Sequence, residues 1–549
     1  MRSLMVKKGR PDKRSKTRSQ AAGGGGGALP SGELIGPFDR TLLYLAVFLT
    51  GAAIMMIEVL GTRILGPFYG VGLFVWSSLI SVTLIALALG YYLGGIAADR
   101  AKRFQLSHGI ALAALATALI PVFKTPVLLQ TNALGVRAGA FTSALLLFSV
   151  PLTLLAMVGP RVIKLCTSRL ESVGRSAGSV YAFSTVGSVL GTLVLGFFLL
   201  PMMGTRTILY GVSVGLLVLA AVLALYERAR RNTLGLLVLP FVSLAIAGLL
   251  FFLGGDRLPS TPGFTTVYEA QSIYGRVRVV DESERQIRWL LSDSSTIGAI
   301  DLRTGEPEFP YLYILEALPR FHPRGRSALL IGLGAGQLPK LLGRYGIETD
   351  SIEIDPEVAR AAKDYFGFNH PGRLILGDAR YEVRRLRKKY DFIIHDCFSR
   401  GVVPAHLLSV EMLQDLRSLL NDGGILALNF YGYAEGPQAL PAAAVAKTIE
   451  AVFPFHRVFV SSLQTELTDH VFFASTEPVE FKADKVDIAP SPLGKLMLDN
   501  LFRYEHKISS DQGFVITDDF NPLDSMQVRK AEIYRHQVLS DISADLLAR

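Results

Sequence analysis

Cysteine is almost missing from this chain of 549 residues. Only Cys166 and Cys397 occur, which excludes a disulfide framework and a thiolate metal cluster, and both read as passive small residues. Charge is sparse as well, at 19% of residues, while 50% are hydrophobic and the mean hydropathy is +0.36. Those are not the proportions of a soluble protein of this length. The shortage of charge is uneven. Before about Gly255, uncharged stretches of roughly 20 residues recur, long enough to cross the hydrocarbon core of a bilayer. Beyond that point charges are frequent and apolar runs short. No apolar run begins before about Thr41, so a cleavable signal peptide is not expected. The length requires more than one core.

The first half reads as a basic tail, 1–40, with a glycine run at Gly23–Gly27 that is expected to stay disordered. A transmembrane domain of about seven helices follows over 41–255, with spans near 41–61, 73–97, 107–129, 139–160, 179–200, 206–226 and 234–253. Pro121, Lys124 and Pro126 make the third the weakest. A multi-pass protein of the cell membrane is expected, with the lipid bilayer as its partner. The net charge of +9 does not point to nucleic acid, because its basic residues gather at Lys7–Arg18, Arg100–Arg103, Arg161–Arg175 and Arg228–Arg231, a pattern of membrane orientation. Glu58, inside the first span, should face another helix through an ion pair or hydrogen bond rather than serve transport. Gly90-x-x-x-Gly94 and Gly187-x-x-x-Gly191 let helices approach closely.

The second half carries an α/β pattern. Alternation at Val277, Val279, Ile287, Trp289 and Leu291 predicts a small antiparallel β-domain over 262–305. A Rossmann-like domain is expected over 306–480 and a C-terminal extension over 481–549. A helix is predicted over Tyr311–Phe321, and then a strand, Ala328–Ile331, leads into a Gly-x-Gly-x-Gly turn at Gly332, Gly334 and Gly336. Gly332 and Gly334 permit tight turning and close ligand approach, and Gly336 lets the next helix pack on its strand. A dinucleotide fingerprint would place glycine where Gln337 stands, so the turn favours an adenosyl-sulfonium ligand over NAD.

Three carboxylates follow at strand ends. Glu353 comes roughly 20 residues after the turn, placed to accept from ribose hydroxyls or else simply solvated. Asp378, after Leu374–Leu376, is placed for an adenine amino group or as the cap of a helix starting near Ala379. Asp396 ends the strand Phe392–His395, as a general base or a turn cap. No group of residues suggests a metal site.

These residues resemble the spermidine synthase (polyamine aminopropyltransferase) family, in particular its bacterial membrane-fused branch. The resemblance is carried by LLIGLGAG, DSIEIDPEVARAAKDYF, LILGDAR, YDFIIHDCFS and LLNDGGILALNFYG, and covers about Tyr268 to Ser475. It implies a multi-pass α-helical membrane domain followed by an α/β, AdoMet-methyltransferase-type domain with a small N-terminal β-domain. It also implies aminopropyl transfer from decarboxylated S-adenosylmethionine to a diamine such as putrescine, releasing methylthioadenosine. Asp396 then matches the proton acceptor, Glu353 the ribose ligand, Asp378 and Ala379 the adenine contacts, and Pro404, offset by one, the proline beside the adenine.

The chain departs from the family where the polyamine would bind. The aspartate of the glycine turn, which helps hold the aminopropyl amine, is Ala335; a substrate-contacting histidine is Leu312; a second amine-binding carboxylate is replaced at Ser399. Glu308, Tyr311, Ser399, Asp518 and Asp519 are the candidates for a rebuilt acceptor site. An AdoMet-dependent methyltransferase is the rival enzyme, favoured by Ala335. A membrane transport or sensing protein with a nucleoside- or polyamine-binding head is the rival of another class. Homo-oligomerisation stays open. A cofactor made in the cytoplasm argues for a cytoplasmic second half, whereas loop charges and a count of seven spans place it outside.

Overall fold

The computed structural model describes residues 36–70, 73–100, 105–167, 172–231, 234–253, 258, 260–369, 371–398, 403–482 and 492–549. Most of the basic tail, and Ser399, lie outside them.

Six stretches are long and apolar enough to cross a membrane: Pro37–Tyr69, Phe74–Arg100, Leu106–Cys166, Val173–Met202, Thr205–Ala229 and Gly235–Leu253. The third, at 61 residues, is about three times the length a crossing needs. It folds as helix Leu106–Thr131, a turn at Asn132–Leu134, and a returning helix Gly135–Ala156. Gly135 takes φ +75 at the reversal. Pro121 and Pro126 lie inside the first of these helices, where packed neighbours can satisfy the carbonyls that proline leaves free. Counted as two, it brings the long apolar helices of the described residues to seven. A Cβ on Gly187 would lie 2.0 Å from the Phe48 carbonyl oxygen, and one on Gly90 2.5 Å from that of Thr153, so these helices meet backbone to backbone. Glu58 shares a hydrogen bond with Thr83 on the neighbouring helix.

The second half begins with an antiparallel sheet of five strands in sequential order: β1 Ser260–Thr261, β2 Phe264–Gln271, β3 Arg276–Glu282, β4 Ile287–Ser292 and β5 Ser295–Asp301. Val277, Val279 and Leu290 pack on one face against helix Pro356–Phe366. Val280, Ile287, Trp289 and Leu291 face the other way and join the core of the helical half. The two-residue period of the strands thus glues the two halves together.

The helix predicted over Tyr311–Phe321 is two short pieces, Pro310–Leu315 and Leu318–Phe321, because Pro319 cannot continue the first. A seven-stranded sheet follows: β6 Ser327–Ile331, β7 Glu348–Glu353, β8 Leu374–Leu376, β9 Tyr390–His395, β10 Leu420–Tyr433, β11 Phe455–Val460 and β12 Leu467–Ser475. Their spatial order is β8-β7-β6-β9-β10-β12-β11, parallel through β10 and antiparallel at β12 and β11. The order reverses between β6 and β9. Ligands of open α/β sheets bind in the crevice beyond the carboxyl ends of strands at such a point.

The α/β half, or head, rests on one end of the helical half. Arg63 donates to the Ser272 carbonyl at 3.3 Å and to that of Ile273, and the Thr205 N–H donates to Gln271 Oε1 at 2.8 Å. From the C-terminal helix Val528–Val538, Arg535 reaches the Phe68 carbonyl at 2.5 Å and Asn132 Oδ1 at 2.8 Å. Its guanidinium lies 4.8 and 4.9 Å from the rings of Phe68 and Tyr69.

Candidate active site

A cavity of about 1980 Å3 opens at the reversal point. Gly332, Gly334 and Gly336 all take positive φ, at +90, +54 and +71. The turn needs glycine for space as well: a Cβ on Gly332 would stand 2.3 Å from the Asp396 carbonyl oxygen, and one on Gly334 2.7 Å from that of Ile297. Strand β5 of the small sheet lies over the turn. Gly298 faces Ala335 so closely that a Cβ there would meet the alanine methyl at 2.5 Å, and Ala335 is buried.

Glu353 ends β7 beside this turn. It is buried, and each oxygen accepts one backbone N–H: Oε2 from Leu333 and Oε1 from Asp355, both at 3.0 Å. Burial raises its carboxyl above the ordinary value, against those hydrogen bonds. A carboxylate has about four acceptor positions, so capacity remains for hydroxyl donors from the cavity. Asp378 is the cap of helix Ala379–Arg385, accepting from the Tyr381 N–H at 3.0 Å, and it lines the same cavity with Ala379 and Pro404.

Asp396 stands at the carboxyl end of β9, across from the glycine turn. Tyr311 Oη donates to its Oδ2 and Asn429 Nδ2 to its Oδ1, each at 3.1 Å. It keeps partial exposure, but only to the cavity, deep beneath the outer surface. Burial pushes its carboxyl up to about 7, partly opposed by Asn429 and Tyr311 and assisted by nearby Asp469. Asn429 is fully buried and also approaches Asp469 Oδ1 at 3.5 Å. Burial raises Asp469 too, and Ser461 holds its other oxygen at 2.8 Å. Behind this pair Lys530 donates to the Tyr431 carbonyl at 3.0 Å, its ammonium pushed down to about 7 by burial.

The structure brings Gly332, Gly334, Glu353, Asp378, Ala379, Asp396, Pro404, Tyr311 and Asp518 to one cavity. Gly336 sits just behind its wall, against Phe368. Other candidates need correction. Glu308 is not among the lining residues; the bridge between Ile300 and Pro307 pins its segment to the edge of the small sheet, where burial and Asp301 raise its carboxyl. Asp519 is exposed and lines nothing. Asp518 reaches the cavity but is occupied, accepting from Arg380 and Ser409 at 2.5 Å each. Sequence reasoning missed Asn429, Asp469 and Tyr534, whose signal was a polar residue inside an otherwise apolar or aromatic segment. It also missed that Tyr69, Phe74 and Arg137, at the ends of the apolar helices, form part of the wall.

Parts of the chain are similar to known proteins. The spermine/spermidine synthase domain matches residues 308–483. The chain carries a spermine/spermidine synthase domain. The polyamine aminopropyltransferase of Vibrio vulnificus is 31% identical over 178 residues, covering 30% of this chain and 60% of that protein. An N-terminal histidine N-methyltransferase of Emericella nidulans is 29% identical over 409 residues, covering 66% of this chain and 70% of that protein. A spermidine synthase structure from Thermotoga maritima aligns with 42% of this chain and 83% of its own, at 20% identity and a TM-score of 0.34. The match to the Emericella protein is longer than the α/β half alone, so it extends into the apolar helices.

Proposed function

We propose that this protein is a membrane-embedded N-alkyltransferase of the spermidine synthase type, moving a methyl group from S-adenosylmethionine to a nitrogen acceptor. The observation that carries the reading is Asp396, a cavity carboxylate held on both oxygens and shifted to about 7, facing a glycine turn too tight for any side chain. Gly332 and Gly334 let the donor approach the backbone, and Glu353 accepts from its sugar hydroxyls. The acceptor nitrogen forms a bond to the carbon on the sulfonium. The carbon–sulfur bond breaks with its electron pair going to sulfur, and Asp396 takes the proton that nitrogen must lose. Displacement of this kind depends on in-line positioning and on a base matched to the proton it removes.

Methyl is favoured over aminopropyl by Ala335. In the resembled family an aspartate there holds the aminopropyl ammonium, and here a methyl side chain is buried beneath Gly298. A base near 7 also matches an imidazole or an α-amine, whose ordinary values are about 6.5 and 7.7–8.0, better than a diamine near 10. The Emericella relative is named for such an acceptor, an N-terminal histidine. The second reading, aminopropyl transfer from decarboxylated S-adenosylmethionine to a diamine, is favoured by the acidic lining at Asp469, Glu532 and Asp541.

The purified full-length protein, given each donor with a histidine-initiated peptide or with putrescine, should release S-adenosylhomocysteine in the peptide arm. Methylthioadenosine as the sole product would move the assignment to the second reading. No product and no donor binding would end both.

A further inference from the structure

The two ends of the helical half differ in charge, and the head sits on only one of them. At the ends away from the head stand Arg40, Arg100, Arg161, Lys164, Arg175 and Arg228. Contacts identify this face as one: Lys164 pairs with Asp99 at 2.6 Å, Arg161 donates to the Ala97 and Ala98 carbonyls, and Glu227 accepts from the Leu106 N–H. The sequence joined to these ends adds Lys102, Arg103 and the run Lys7–Arg18.

At the head-facing ends the cations are few, and they are used inside the protein. Arg63 holds head carbonyls, Lys124 the Arg549 carbonyl, and Arg206 the Phe251 carbonyl at 2.8 Å, while Arg137 stacks on Phe74 at 4.6 Å. Lysine and arginine near the ends of apolar spans are retained on the cytoplasmic side. Each is also drawn to the anionic lipids of the cytoplasmic leaflet. An odd number of crossings puts the two ends of the helical half on opposite sides.

We infer that the head, with its cavity, lies on the non-cytoplasmic side of the membrane, and that its nitrogen acceptor is an exported molecule. This reverses the expectation of a cytoplasmic head. The acceptor clause rests on the reading of Asp396 as the base for N-alkylation; the orientation does not. The cavity fits the placement, because Tyr69, Phe74, Val136 and Arg137 from the head-facing helix ends share its wall with Asp396. An acceptor reaches the base through a mouth bounded by the membrane surface itself.

Orientation is read without any reaction. In full-length protein with Cys166 and Cys397 replaced by serine, a single cysteine is introduced by Gln464→Cys on an exposed head hairpin, or by Gly174→Cys in the open space of the opposite face. A membrane-impermeant maleimide should label the Gln464→Cys protein in intact cells and the Gly174→Cys protein only after permeabilisation. The reverse pattern would overturn the placement, whichever alkyl group is transferred. A reporter active only outside the cytoplasm, fused after Arg549, should be active; silence with full-length protein present would overturn it too. If the placement holds, a histidine-initiated peptide added outside sealed right-side-out vesicles, with donor on the same side, should be alkylated. Alkylation only in inverted vesicles would defeat the acceptor clause, and donor turnover with no peptide product on either side would defeat the N-alkylation reading instead.

Discussion

The two halves of the cavity are built differently. The donor half comes from consecutive strand ends, Gly332 after β6, Glu353 after β7, Asp378 after β8 and Asp396 after β9, so chain order and spatial order run together. The half proposed to take the acceptor is collected from across the chain: Tyr311 from a short helix, Asp469 from β12, Tyr534 from the C-terminal helix, and Phe74 and Arg137 from the ends of two apolar helices. A crevice fixed by one sheet topology is hard to alter piecemeal, while a wall gathered from five separate elements can be altered without disturbing it. Leu312, in the wall beside Tyr311, is a change of this second kind.

The comparison breaks most severely if Asp396 is not shared by both halves. Asp396→Asn should lower kcat by about 100-fold or more, the range of a lost general base, while donor binding by calorimetry stays within twofold. Because the folded carboxyl is raised above its unfolded value near 3.9, its contribution to stability is full below that value and is lost as pH rises toward about 7. The asparagine variant should therefore melt higher than the parent at pH 8, with the difference closing toward pH 4.

Next in size, Gly332→Ala should abolish measurable donor binding, since its Cβ would collide with backbone at a positive φ. Forcing that conformation costs about 1–3 kcal/mol, seen as a lower thermal midpoint. An unchanged donor affinity would mean that the turn is not the donor cradle.

Tyr311→Phe sharpens the boundary. Its hydroxyl donates to Asp396 and holds that carboxyl down, so losing it should move the acid limb of kcat/KM to higher pH than in the parent. A limb that stays in place would assign Tyr311 to packing alone. The smallest effect is expected from Asp519→Asn, within twofold in every rate, because that side chain stands outside the cavity.

The contrast also explains what could be read from sequence. Gly332, Glu353, Asp378 and Asp396 were legible because strand periodicity places each at a strand end, and strand ends of a doubly wound sheet converge. The small sheet at Val277–Leu291 and most apolar spans were legible from their periods and lengths. Glu308 and Asp519 fall outside the cavity, because carboxylate chemistry was matched without a local period to say which way the side chain faces. Asn429 and Asp469 were passed over because a polar residue inside an apolar strand looks the same whether it packs or works. The turn at Asn132–Leu134, which divides one 61-residue apolar stretch into two antiparallel helices, has only Gly135 to announce it.

Arg535 joins parts of the chain that are made at very different times: its guanidinium is held by Phe68 and Asn132, more than four hundred residues upstream. Until residue 535 has been made, the Phe68 carbonyl and the Asn132 side chain lack this partner. The cavity wall that includes Tyr534 is therefore complete only once helix Val528–Val538 is in place.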